Sequence, residues 1–143
     1  MNLALVEGDV LVSPHIRELL SLSMGDPTPA ALDDVGHHYR EDPAWALFGY
    51  QRDGLVVGCV GIEVTAQGQA TLRHLAVVPD ERMRGIGRSM IDGVSERLLL
   101  STVVAETDGD AVGFYRRCGF TVESIGETHP GVERFRCSLG PGG

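Results

Sequence analysis

Leu75-Ala76-Val77-Val78-Pro79-Asp80-Glu81-Arg82-Met83-Arg84-Gly85-Ile86-Gly87-Arg88 carries the reading of this chain. An apolar, β-branched run stops at Pro79, a charged turn follows, and Arg-x-x-Gly-x-Gly leads into residues at helical spacing. The pattern predicts a strand, a tight loop and a helix N-terminus. Glycines let a ligand approach the backbone closely, and the first amides of a helix have no intrahelical partner. Together with the helix dipole, such amides favour phosphate oxygens. Arg82, Arg84 and Arg88 add positive charge within a chain of net charge −8. The stretch reads as a diphosphate cradle. It is not the dinucleotide fingerprint, because Gly85-Ile86-Gly87-Arg88-Ser89-Met90 lacks the third glycine and several strands precede it. All twelve basic residues are arginines. A Walker A loop and Schiff-base chemistry both need a lysine and are excluded.

Working outward, the 143 residues fit one domain, expected over 1–139, with a disordered tail at 140–143. No apolar run approaches the ~18 residues that span a membrane. The acidic N-terminus is not expected to be a signal peptide, and the acidic balance argues against nucleic acid as a partner. Cys59, Cys118 and Cys137 have no metal-ligand spacing, so no metal is expected. They read as buried, reduced thiols of a cytoplasmic protein.

The elements follow from local pattern. Residues 3–7 predict a strand. Ser13-Pro14 and Thr28-Pro29 predict two helix starts, the first helix running past Met24 to a stop at Gly25. Strands are expected at 44–52, 55–65 and 69–78, with Asp53-Gly54 as a hairpin turn. A helix over about 86–99, a strand at 101–106, a helix at about 109–117, a strand starting at 120–122 and a last strand at 132–138 complete the chain. The strand–helix–strand unit around Gly85 implies a right-handed crossover, and so parallel pairing of 71–78 with 101–106. The fold class is α/β (α+β). A central mixed, mostly antiparallel sheet of six to seven strands is flanked by about four helices, with a splayed parallel strand pair.

A second motif lies thirty residues on: Asp108-Gly109-Asp110-Ala111-Val112-Gly113-Phe114-Tyr115-Arg116-Arg117-Cys118-Gly119-Phe120. Here the chain resembles the GNAT superfamily of acyl-CoA-dependent N-acetyltransferases. Their first motif, Leu-x-Val-x-Pro followed by Gln/Arg-x-x-Gly-x-Gly/Ala, matches Leu75 to Gly87. Their second, an Asn or Asp before Phe/Leu-Tyr-x-x-x-Gly-Phe, matches Asp108 through Phe120. The resemblance implies acetyl-CoA as co-substrate. It puts the pyrophosphate on the amides of about Met83, Arg84, Gly85, Ile86, Gly87, Arg88 and Ser89, with Arg82 beside them. The pantetheine arm pairs with the backbone of Leu75, Ala76 and Val77, which requires the parallel strands to splay. Asp108 stands where the family usually has Asn near that arm, or caps the following helix. Phe114 and Phe120 read as core.

By the same resemblance, Tyr115 is the catalytic residue, a phenol of ordinary pKa about 10 that protonates the departing thiolate. Many relatives carry a basic Glu where this chain has Val103. Glu63, Glu106 and His129, the last in the loop before the final strand, are the remaining candidates for a general base. His74 alternates away from Thr71, Arg73 and Leu75, toward the other sheet face. His37 and His38 lie on the second helix, a segment that often lines the family's acceptor site. The implied function is transfer of an acetyl group from acetyl-CoA to a primary amine, small molecule or peptide, by direct attack. A non-catalytic acyl-CoA sensor or partner-binding domain is the alternative, and assembly into a homodimer is left open.

Overall fold

The computed structural model describes residues 2–140; of the expected tail, 141–143 lie outside the described residues. In chain order the elements are β1 (Leu3–Val6), α1 (Pro14–Ser21), α2 (Pro29–Glu41), β2 (Trp45–Arg52), β3 (Leu55–Ala66) and β4 (Gln69–Val77). They continue with α3 (Ile86–Arg97), β5 (Thr102–Asp108), α4 (Val112–Arg117), β6 (Thr121–His129) and β7 (Val132–Leu139). Short 3₁₀ turns at Gly8–Val12 and Pro79–Glu81 have no counterpart in the sequence reading. The described residues form one seven-stranded sheet of order β1-β2-β3-β4-β5-β7-β6. All neighbours are antiparallel except β4 and β5.

The helices begin where their caps are. Ile16 N–H donates to Ser13 Oγ at 3.4 Å and Ala31 N–H to Thr28 Oγ1 at 3.1 Å, each with proline in the first turn. α1 ends at Ser21, earlier than Gly25 suggests. Ser21 and Ser23 turn their hydroxyls back onto the carbonyls of Glu18 and Leu20, a bond that competes with helix continuation. Ile16, Leu19 and Leu20 seal α1 against the sheet.

Two apolar clusters cover the two sheet faces. The larger runs under the whole sheet. It joins Phe48 and Val60 of the first hairpin, Met90 and Val94 of α3, Val103 and Ala105 of β5, and Cys137 of β7. The smaller lies under α1 and α2 and takes its strand residues only from β1 to β4: Val6, Leu47, Cys59 and Ala76.

Two expectations need correction. Parallel pairing is confined to Gln69, Ala70 and Thr71 against Thr102, Val103 and Val104, and beyond Thr71 the strands part. A bulge also interrupts β4. Gly61 pairs with His74 and Ile62 with Leu72, leaving Arg73 as the extra residue. One inserted residue resets the period-two alternation. His74 therefore joins Arg73 and Trp45 on the α2 face instead of lying opposite.

Candidate active site

The parting of β4 from β5 leaves backbone groups without partners. Val78 N–H donates to Val57 O at 2.9 Å, so alternation along the antiparallel β3–β4 ladder turns Ala76 toward β3. Leu75 and Val77 then direct their N–H and C=O groups into the gap. A cavity of about 520 Å³ opens there and runs to the loop before α3. Leu75, Ala76 and Val77 form one wall, and Arg82, Met83, Gly85, Ile86, Gly87 and Arg88 line the loop end. Tyr115 stands on the α4 side. Of the residues that the resemblance assigns to the coenzyme, Arg84, Ser89 and Asp108 do not line the cavity.

Each exception has a physical cause. Ser89 N–H is the first amide taken into α3, donating to Gly85 O at 3.0 Å, which leaves the free amides to Ile86, Gly87 and Arg88. Arg84 Nε lies 3.5 Å from Glu81 Oε2, and Arg52 Nε lies 3.2 Å from the same oxygen. Both contacts are electrostatic, without hydrogen-bond geometry. Asp108 ends β5, and its Oδ1 accepts from Asp110 N–H at 3.0 Å, closing a local turn. The expected start of the helix at 109 is that turn, and α4 begins at Val112 without a side-chain cap.

The loop itself is tightly constrained. Met83 and Gly85 sit at φ +66° and +77°, and Met83 is 98% exposed. Gly87 is required by a close approach. A Cβ there would meet Phe114 Cζ at 2.9 Å and Cε1 at 3.1 Å. The glycine thus lets α4 pack onto α3, and its role is not confined to ligand access. Phe114, half-buried, belongs to the cavity wall as well as to the core, while Phe120 is buried.

Tyr115 is 7% exposed and packs edge-on against Phe114 and Phe120 with ring centroids 5.2 Å away. Burial, with the Cys137 and Cys118 thiols nearby, pushes its phenol up to about 12. Its hydroxyl has no hydrogen-bond partner among the described residues. It is therefore a neutral donor on the cavity wall whose proton is held more firmly than a free phenol's.

The base candidates lie elsewhere. Glu63 is paired with Arg73. Glu106 lies 3.6 Å from Arg136. His129 is not in a loop but ends β6, opposite Val132 at the far end of the hairpin. Val103, where many relatives carry Glu, is buried in the larger core. On the α2 face, Tyr39 and His74 Nδ1 are hydrogen-bonded at 2.5 Å, and Trp45 is held between His38 and the Arg73 guanidinium. Burial, and secondarily Arg73, lowers His74 to about 4.

Sequence reasoning missed Leu22, Glu81, Ala111, Arg117 and Cys118 as parts of the cavity wall. Glu81 sits inside the quoted stretch, and Arg117 and Cys118 lie inside the second motif. Leu22 follows the early end of α1 and carried no signal.

A family model described as an acetyltransferase (GNAT) domain matches residues 43–122, more than half of the chain. An uncharacterized N-acetyltransferase of Bacillus methanolicus is 24% identical over 78 residues, 54% of this chain and 65% of that protein. The chain thus spans just under two thirds of that relative's length. Among solved structures, the ribosomal-protein-S18-alanine N-acetyltransferase of Escherichia coli is 18% identical with a TM-score of 0.73, covering 96% of this chain and 91% of that one. A GNAT family acetyltransferase of Elizabethkingia anophelis with acetyl-CoA bound is 17% identical with a TM-score of 0.67, covering 98% and 99%. The splayed parallel pair, the glycine loop and the Phe-Tyr helix agree with these matches, and the chain belongs to the GNAT acetyltransferase family.

Proposed function

We propose that this protein transfers an acetyl group from acetyl-CoA to an amine. One observation supports this most: the open β4 edge runs into the free amides of α3, with a tyrosine whose hydroxyl is unbonded lining the same cavity. Leu75 and Val77 would hold the amides of the pantetheine arm as a neighbouring strand would. The Val77 carbonyl already accepts from Arg82 Nε at 2.9 Å, and its second lone pair stays open. Ile86, Gly87 and Arg88 would hold the pyrophosphate by their N–H groups and the helix dipole.

The amine nitrogen attacks the thioester carbonyl, a C–N bond forms, the C–S bond breaks, and the amine loses a proton to solvent water. The Tyr115 hydroxyl donates a hydrogen bond to the departing sulfur. With the phenol near 12 and an ordinary thiol near 8.5, full proton transfer is uphill. Tyr115 therefore acts by hydrogen-bond stabilisation of the thiolate, which takes its proton finally from solvent. Tyr115→Phe removes one donor to the developing negative charge and should lower kcat by about 10²-fold with little change in KM. A variant with the wild-type kcat removes Tyr115 from the mechanism.

A second reading, acyl-CoA binding without turnover, is favoured by the buried Val103 and by the absence of Glu63, Glu106 and His129 from the cavity wall. A panel of primary amines with acetyl-CoA, followed by free-thiol release, separates the two. Amine-dependent thiol supports the transferase. Calorimetric binding of acetyl-CoA with no amine-dependent thiol supports the sensor.

A further inference from the structure

We propose that Arg117, together with Arg88, forms an anion subsite for the 3′-phosphate of the coenzyme. By this subsite the protein distinguishes coenzyme A from 3′-dephospho-coenzyme A. The proposal rests on the coenzyme reading above.

It follows from what each arginine around the cavity already holds. Arg52 and Arg84 share the single carboxylate of Glu81, and neither lines the cavity. Arg82 is tied back to the Val77 carbonyl at the β4 end of the cavity. Arg88 has only a loose contact with Asp92, at 4.0 Å between largely exposed side chains. Such a pair contributes little. Arg117 lines the cavity and has no carboxylate partner among the described residues. Arg88 and Arg117 come from different helices, α3 and α4, yet both guanidiniums favour ionisation of the same buried thiol, Cys118. Both also line the same cavity, so two under-compensated cations from α3 and α4 face one space.

The chemistry of the ligand supplies two kinds of anion. Its pyrophosphate is a diester matched by the backbone amides of the loop. Its 3′-phosphate is a monoester carrying about −1.5 to −2 charges at neutral pH, with three equivalent acceptor oxygens. Guanidinium forks match such a group in a bidentate manner, and helix amides already engaged by the pyrophosphate do not. Sequence inspection could not single out Arg117, because Arg116 beside it is identical in type and only the helix phase puts one of the two on the cavity wall.

The test is calorimetric titration of the full chain with coenzyme A and with 3′-dephospho-coenzyme A. The wild type should bind coenzyme A about 10- to 100-fold more tightly, the range of a charge-assisted hydrogen-bonded contact. Arg117→Gln should remove most of that ratio while leaving affinity for the dephospho form unchanged, and Arg88→Gln should remove part of it. Arg116→Gln, on the same helix but off the cavity, should keep the ratio. Equal affinity of the wild type for both ligands overturns the subsite. So does an Arg117→Gln variant that weakens both ligands alike. Absence of binding by either ligand to the wild type overturns the coenzyme reading itself.

Discussion

His74 stays uncharged because its surroundings make the charged form expensive. It is 9% exposed, its Nδ1 meets the Tyr39 hydroxyl, and the Arg73 guanidinium adds like-charge repulsion. The Tyr39 hydroxyl reaches this position only because residue 61 is glycine, since a Cβ there would overlap it. The folded His74 titrates near 4 and the unfolded one near 6.5. Between those values the unfolded chain binds more protons, so stability falls as pH drops from about 6.5 to about 4 and is flat in this respect outside that window. The contribution is on the order of 3 kcal/mol. Urea unfolding at pH 7 and pH 4.5 should show a larger drop for the wild type than for His74→Gln. Equal drops would mean that His74 is not buried as described.

Residue by residue, what was readable in the sequence depended on whether a residue acts through its own position or through a neighbour's. Tyr115, Gly85, Arg82 and Arg88 announce their place on the cavity wall by spacing, and Arg84 shares the spacing but not the wall. Ser89 does not, because its amide is spent inside α3, and His74 does not, because a single bulged residue at Arg73 reverses a parity count.

At the scale of elements, α3 and α4 meet at Gly87 and Phe114, so Gly87→Val is a packing mutation as much as a binding one. It should destabilise the protein by about 1–3 kcal/mol, the usual range for overpacking, measured by urea unfolding without any ligand. Unchanged stability would show that Phe114 yields freely. Strand β4 makes a sharper claim. On adding coenzyme A, hydrogen exchange should slow at the amides of Leu75 and Val77 but not at Ala76, whose N–H faces β3. Protection of all three in the free protein would mean a closed β4–β5 pair. The splay itself was legible, because the glycine-loop motif carried it through a family resemblance. Its extent was not, since only the register shows that pairing stops at Thr71 and Val104. The full length of β6, known from sequence only by its first residues, was hidden by a polar stretch without a period-two apolar pattern.

At the scale of the molecule, no helix among the described residues is long and apolar enough to cross a membrane. The sheet divides at its one parallel junction into β1–β4 and β5-β7-β6, joined by three residue pairs. One face of the sheet carries a core that spans the junction, and on the other face the α1–α2 cluster stops short of it. The two parts are thus bound along a single side, like pages along a spine. The second part, β5 through β7 with α4, should be the first to come away as a unit under mild denaturant, read as a common group of early-exchanging amides. A molecule lying in the junction would bridge both parts, so its affinity and the cooperativity of unfolding become one quantity. Saturating coenzyme should merge the two opening events into one.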